Sequence, residues 1–286
     1  MEKAYQKMIY RSKLHFGVHH VWGYQIGEAY SSELHYDTEY TLAYFKKADA
    51  TIQIEGNIYN IHDGDMILLD YNELHRVNMD GEKYSERITV FVNADLMRDF
   101  PHVSVSFFEV FRQRSAGTGN LIPAEQVKAN GIDERMEQIL QMIASDEPDR
   151  ELLVWCRITE LLYQLSKIMT VEGKLQILAI DSDRTISEVI KYLNLHFREE
   201  IDCDEIALRF HISRGHLFRT FKYYVGVSLW EYVIRRRLLF VNDLLRENCA
   251  IEEACFQAGF RNYSNFYRLY KKHTGITPME FKKQSR

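Results

Sequence analysis

The chain has 286 residues, 46% of them apolar and 27% charged, with a formal net charge of −5 at pH 7. That composition excludes a collagen-like or wholly disordered chain, and the length leaves room for two ordinary domains with cores of their own. No apolar run is long enough to span a bilayer, which excludes a helical membrane protein.

The N-terminal stretch MEKAYQKMIYRSK carries charges throughout and no apolar core of a signal peptide. The four cysteines, Cys156, Cys203, Cys249 and Cys255, form no C-x-x-C pair. A cytoplasmic protein without a zinc ribbon and without a membrane partner is therefore expected.

Residues 14–95 read as short strands and turns. ATIQIE (50–55), a turn at Gly56-Asn57 and IYNIH (58–62) predict a hairpin with period-2 alternation. Asp63-Gly64-Asp65 marks another turn before MILLD, and RITVFVN (87–93) supplies a further strand. Many short strands with regular turn signals point to a sandwich or barrel. Trp22, Tyr24, Tyr36, Tyr40, Tyr44 and Tyr71 make this half rich in aromatics with polar tips. Such side chains stack on a flat ligand and bond its hydroxyls, and they also serve as ordinary core.

The segment from Leu34 to Val77 resembles the small β-barrel of the cupin superfamily. The likeness rests on Leu34-His35-Tyr36, on Glu39 and on the string GDMILLDYNELH ending at His75. Enzymatic cupins usually present H-x-H, a Glu and a later His, and the aligned residues here are Glu33, His35, Glu39 and His75. That set is chemically able to hold a divalent ion. Glu33 replaces the first His, however, so no metal and no other cofactor is assigned. Trp22, Tyr24, His35, Glu39 and His75 are read instead as residues that line a pocket for an organic ligand.

Between Phe100 and Asn130 the sequence is irregular, and two helices follow. Asp133–Ala144 carries Met136, Ile139, Leu140 and Ile143 at helical spacing, and Asp149–Met169 carries Leu152, Leu153, Cys156, Ile158, Leu161, Leu162 and Leu165. The pair can pack on the strands or meet a second subunit. Residues 171–183 read as the linker between a domain at 1–170 and another at 184–286. Charge divides at the same place. Residues 1–183 hold 18 Lys+Arg and 29 Asp+Glu, a net −11, whereas residues 184–286 hold 18 and 12, a net +6. Attraction to phosphate is thereby confined to the second half.

In that basic half, Thr185 with Glu188 predicts a capped helix start, with Ile186, Val189, Ile190, Leu193 and Phe197 as its buried stripe. Residues 204–278 then hold two imperfect copies of one pattern. An offset of 49 pairs Ser213 with Asn262, Leu217 with Phe266, Arg219 with Arg268, Phe221 with Tyr270, Lys222 with Lys271 and Gly226 with Gly275. Upstream of the turn the offset falls to 48, so the second copy has one extra residue. Each copy reads as a short helix, a tight turn and a longer basic helix, which is the helix-turn-helix pattern. In the longer helices Leu217, Thr220, Phe221 and Tyr224, and then Phe266, Leu269 and Tyr270, fall on the inner side. Ser228 caps a helix that runs to about Leu245 and joins the copies. It is about 27 Å long, near the roughly 34 Å of one duplex turn. Its Arg235, Arg236 and Arg237 are candidates for phosphate contact.

The run from Ile251 to Pro278, IEEACFQAGFRNYSNFYRLYKKHTGITP, resembles the signature of the AraC/XylS family of bacterial transcription regulators, and RTFKYYVGVSLWEYVIRRRL in the first copy matches too. The resemblance implies an α+β chain: a cupin-like barrel with a helical pair, then an all-α domain with two helix-turn-helix units on a long helix. It implies a non-enzymatic regulator with double-stranded DNA as partner, a small-molecule effector (a sugar or glycoside by preference), a homodimer through helices 133–169, and RNA polymerase where the protein activates. The implied DNA-contacting set is Arg214, Gly215, Phe218, Arg219 and Lys222 in the first unit, and Tyr263, Ser264, Asn265, Tyr267, Arg268 and Lys271 in the second. Gly215 lacks the side chain that the family often places there. Ala254 and Ala258 stand where it prefers bulkier aliphatics, which predicts a looser second core. The competing readings are a ligand-independent regulator with an inert barrel and a metal-dependent cupin enzyme.

Overall fold

The computed structural model describes residues 6–24, 30–31, 34–37, 39–71, 73–79, 83–93, 96, 108–112, 117–172 and 184–284. The chain divides into two compact units, Met1–Asp181 and Ser182–Arg286.

In the first unit the chain runs through β1 (Gln6–Arg11), β2 (Phe16–Tyr24), β3 (Tyr30–Ser31), β4 (Tyr40–Lys47), β5 (Ala50–Ile54), β6 (Asn57–Ile61), β7 (Met66–Leu69), β8 (His75–Met79), β9 (Tyr84–Val92) and β10 (Leu121–Ile122). These form a six-stranded sheet in the order β1-β2-β9-β4-β7-β10 and a four-stranded sheet in the order β3-β8-β5-β6. The chain leaves the larger sheet after β4, returns for β7, leaves again for β8 and returns for β9. Among the described residues no ladder joins the two sheets, so the expected barrel is a pair of sheets and not a closed cylinder.

The hairpin β5–β6 shows how the local rules act. Ile54 pairs with Asn57, so the turn is Glu55-Gly56, one residue earlier than the sequence suggests. Both turn residues have positive φ, 50° and 92°, as a type I′ turn requires. Asn57 is buried and donates from Nδ2 to the Gly117 carbonyl, which places it in the strand.

Period-2 alternation separates the two faces of the larger sheet. One face carries Phe16 and Val18 of β2, Leu42 and Tyr44 of β4, and Ile88, Val90 and Val92 of β9. It is covered by helices α1 (Glu109–Arg112), α2 (Ala124–Ala129), α3 (Ile132–Ala144) and α4 (Arg150–Glu172). Met136, Ile139 and Ile143 of α3, and Val154, Ile158, Leu161 and Leu165 of α4, belong to that one core. Each such side chain contributes about 1.5–3 kcal/mol on burial. The helical pair therefore covers the sheet, and this settles the first of the two packings the sequence leaves open. The opposite face meets the smaller sheet over Ala43, Phe45, Ile52, Ile54, Tyr59, Ile67, Leu69 and Val77. Residues 171 and 172 of the expected linker continue α4, and 173–183 lie outside the described residues.

The second unit is helical throughout: α5 (Arg184–His196), α6 (Cys203–Arg209), α7 (Arg214–Val225), α8 (Leu229–Arg246), α9 (Ile251–Gln257), α10 (Tyr263–Thr274) and α11 (Pro278–Gln284). Thr185 lies inside α5 and not at its cap, while Ile186, Val189, Ile190, Leu193 and Phe197 are buried as the spacing predicts. A looser second core is expected around Ala254 and Ala258. Ala254 and Ala258 are fully buried beside Phe260, Phe266 and Tyr270, whose rings supply the bulk.

Candidate nucleic-acid interface and inter-sheet cavity

Several helices in the second unit start or stop for a local reason. The Asp202 carboxylate accepts from the amides of Asp204 and Glu205 and opens α6. Ser213 accepts from the His216 amide at 3.2 Å to open α7, and Asn262 accepts from the Asn265 amide at 2.8 Å to open α10. Gly226 and Gly275 end the two longer helices in left-handed geometry, at φ 84° and 77°. Thr277 and Glu280 close a reciprocal capping box on α11, with Pro278 as its first residue.

The turns between paired helices are also alike. The Ile212 amide reaches the Ala207 carbonyl at 3.0 Å, and the Phe260 amide reaches the Cys255 carbonyl at 3.2 Å. His211, at φ 56°, takes the left-handed place that Gly259 takes at φ 85° in the second unit. At Gly259 a side chain is barred by packing as well, because a Cβ would lie 2.2 Å from the Arg198 carbonyl oxygen. The extra residue of the second copy is Arg261, which is exposed and paired with Glu200.

This scaffold sorts the faces of α7 and α10. Leu217, Phe221 and Val225 are buried in the first, and Phe266 and Tyr270 in the second. Thr220, Tyr224 and Leu269 are half-buried. Gly215, Arg219 and Lys222 are exposed, as are Tyr263, Ser264, Asn265, Tyr267, Arg268 and Lys271. Phe218 is half-buried, with the Arg214 guanidinium over its ring at 5.6 Å. Arg214 also bonds Asp204 of α6 at 3.0 Å, an exposed pair that orients the guanidinium at little energetic gain. Arg268 bonds the Asn265 side chain at 3.0 Å, which holds its fork at the front of α10.

Two of the α8 arginines read as candidates for phosphate contact have partners within the protein. Arg237 donates to the carbonyls of Phe197 and Glu199 at 2.7 and 2.8 Å, closing the end of α5. Burial lowers its pKa from the usual value. Arg235 pairs with Glu231 at 2.9 Å, one turn back. Both cations thus serve to hold the helical unit together.

In the first unit a cavity of about 140 Å³ lies between the two sheets. Ala43, Phe45, Ile52, Ile67, Leu69, Val77 and Phe91 make its apolar wall, and His35, Asp37, Thr41, His75, Arg87 and Thr89 its polar one. His35 and His75 are brought there by backbone pairing, for each donates its amide to the other's carbonyl. Burial lowers the His75 pKa, opposed by nearby Asp37 and aided by His35. Thr89 is buried, and its hydroxyl has no partner among the described residues.

Of the five residues expected to line a ligand pocket, His35 and His75 do so. Trp22 continues the face of β2 that carries Phe16 and Val18, away from the cavity, and stacks on His20 at 4.3 Å. Glu39 pairs with Arg11. The side chain of Tyr24 and the whole of Glu33 lie outside the described residues. Asp37, Thr41, Arg87 and Thr89 are absent from the sequence reading. Asp37 carries a usable signal, since it stands two places after His35, whereas Arg87 and Thr89 become cavity residues only through the register of β9.

Residues 206–284 match the family model described as a helix-turn-helix domain. The probable transcription factor PqrA of Proteus vulgaris is 35% identical over 104 residues, which cover 35% of this chain and 85% of that protein. The uncharacterized HTH-type transcriptional regulator YdiP of Escherichia coli is 22% identical over 256 residues, covering 87% and 80%. The HTH-type transcriptional activator RhaS of Citrobacter koseri is 27% identical over 184 residues, covering 58% and 63%. Among solved structures, ToxT of Vibrio cholerae bound to a naphthalenyl-butenoic acid is 14% identical with a TM-score of 0.40, covering 99% of this chain and all of that one.

Proposed function

We infer the function from one premise: this chain belongs to the AraC/XylS family of transcription regulators, and it is a DNA-binding regulator. The observation that carries the finer reading is the pair of equally capped helices, α7 and α10, each with an exposed arginine at the same place on its outer face. α8 has 18 residues, about 27 Å, and stands between them as a spacer close to one duplex turn. The two helices are proposed to read base edges in successive major grooves on one side of the duplex. Arg219 and Arg268 contact guanine edges. Arg214 supports Phe218 against thymine methyls, and Lys222 and Lys271 meet phosphates. Gly215, Tyr263, Ser264, Asn265 and Tyr267 complete the contact surface.

The inter-sheet cavity is proposed as the effector site. Its polar wall of imidazoles, carboxylate, hydroxyls and guanidinium suits a small ligand rich in hydroxyls, and its volume favours a single sugar ring over a larger glycoside. α4 leaves Leu152, Cys156 and Tyr163 exposed at helical spacing, and this stripe is the proposed seat of a second copy. Effector binding then acts by differential affinity for states that present the paired DNA-binding units differently. RhaS is an activator, and RNA polymerase is the corresponding partner proposed here. A regulator of this kind works in the cytoplasm, where its DNA is.

Footprinting of the full chain on genomic DNA tests the first part. Protected half-sites in adjacent turns of one duplex face are expected, and protection of a single turn per protomer would overturn the two-headed reading. A thermal-shift screen against sugars tests the second, since a true ligand raises the apparent stability. Absence of any shift across sugars and other polar metabolites supports the ligand-independent regulator instead.

A further inference from the structure

We propose that His35, Asp37 and His75 form a binding site for one divalent transition-metal ion at the polar end of the inter-sheet cavity. Topology makes the cluster. His35 and His75 are direct cross-strand partners, with amide-to-carbonyl bonds of 3.0 and 2.8 Å in the two directions. Their rings lie 4.4 Å apart between centroids. Asp37 stands two residues beyond His35, so extended backbone returns its side chain to the same side. One ligand atom from each of the three lies within 4.8 Å of the other two.

The spacing suits a shared ion better than direct contact. Asp37 Oδ2 and His75 Nε2 are 3.8 Å apart, beyond hydrogen-bond reach. Two donors held about 2.1 Å from one tetrahedral ion lie about 3.4 Å apart, so a small contraction seats the ion. Supporting contacts fix the donors. His75 Nδ1 donates to the Glu73 carbonyl at 2.9 Å, which turns the Nε2 lone pair toward the cluster. Thr41, only 3% exposed, donates to Asp37 Oδ2 at 2.7 Å.

The donor set decides the class of ion. Two imidazole nitrogens and one carboxylate oxygen suit zinc, cobalt, nickel or ferrous iron, and they disfavour magnesium and calcium. Three protein donors leave the cavity side for a water or ligand oxygen. Thr89 points to such a group independently: it is 4% exposed, lines the same cavity, and its hydroxyl has no partner among the described residues. Glu39, the carboxylate that a cupin alignment nominates, is turned to Arg11, so Asp37 takes its part. The site stands on this geometry and does not depend on the cavity's role as an effector pocket.

The test is a cobalt titration of the full chain, purified without a polyhistidine tag and stripped with a chelator. One equivalent of Co²⁺ per chain is expected, with a ligand-field absorption band that Zn²⁺ removes and Mg²⁺ does not. His35→Ala and Asp37→Ala are each expected to weaken binding by at least the roughly 10–100-fold that loss of an outer-shell partner costs. His35 is exposed, so its variant keeps the fold, and circular dichroism checks this. Co²⁺ binding that is absent, or equally tight in both variants, would mean adventitious histidine contacts and would overturn the proposal. No effector enters the titration, so its failure leaves the sugar screen untouched.

Discussion

Arg219 and Arg268 hold the same place on α7 and α10, both exposed, and Arg268 is steadied by Asn265. A bidentate arginine–guanine contact is worth about 1–3 kcal/mol of discrimination. Arg219→Ala and Arg268→Ala are each expected to lose that much at the natural operator and to relax base preference at one position. A competitive mobility-shift titration against single-base operator variants reads both effects, and unchanged affinity in both proteins would remove the contact assignment. Backbone detail at this scale is only half legible in sequence. The pattern marks Gly259 as a turn, and the structure adds the reason no other residue fits: φ is 85° and a Cβ would strike the Arg198 carbonyl. Gly259→Ala should therefore destabilise the second unit by well over the roughly 1 kcal/mol that an unstrained exchange gains, measured by urea unfolding. An unaltered midpoint would mean that the Arg198 segment yields freely. His211 occupies the matching place at φ 56° and nothing in its letter announces it, because a left-handed histidine has no sequence marker.

Elements with local causes were the ones the sequence defined. The caps at Asp202, Ser213, Ser228 and Asn262 act through backbone groups two or three residues away, so neighbouring letters alone decide them. The sheets were harder, because each strand chooses its partner at long range. The expected barrel became two sheets, and Arg87 and Thr89 entered the cavity wall only through the register of β9. The ties between helices were hidden for the same reason. Tyr270 of α10 donates its hydroxyl to Asn242 of α8, while the matching place on α7 holds Phe221. There α8 is fastened to α5 instead, by Tyr232 donating to Asn194 at 2.8 Å. Asn242 is only 8% exposed, so Tyr270→Phe leaves its amide oxygen buried without that donor. A loss of about 1–3 kcal/mol is expected, and adding Asn242→Leu should recover part of it. A double-mutant cycle in urea measures the coupling. Tyr232→Phe should cost less, because Asn194 is half-buried and water can replace the hydroxyl. Equal costs for the two tyrosines would contradict this account.

At the scale of the whole molecule, the net charge of −5 conceals a division of labour between −11 over residues 1–183 and +6 over residues 184–286. Affinity for duplex DNA comes largely from counterions released when cations neutralise phosphates, so the logarithm of the binding constant falls with the logarithm of salt at about −0.9 per phosphate met. If the second unit alone meets DNA, every unit of that slope belongs to its cations. Lys222→Ala and Lys271→Ala, at matching places on α7 and α10, should each reduce the slope by about one and weaken all sequences alike. Arg219→Ala should differ in kind, because its loss falls hardest on the natural operator. Lys47 and Lys83 of the first unit serve as the control: both are exposed and already paired, with Asp63 and Asp49. Their alanine variants should leave the slope where it was. Nonspecific duplex titrated at several salt concentrations with the full chain gives all these slopes in one experiment. A slope that drops for Lys47→Ala as much as for Lys222→Ala would place DNA against the acidic unit, and the division of labour read from charge would then be wrong.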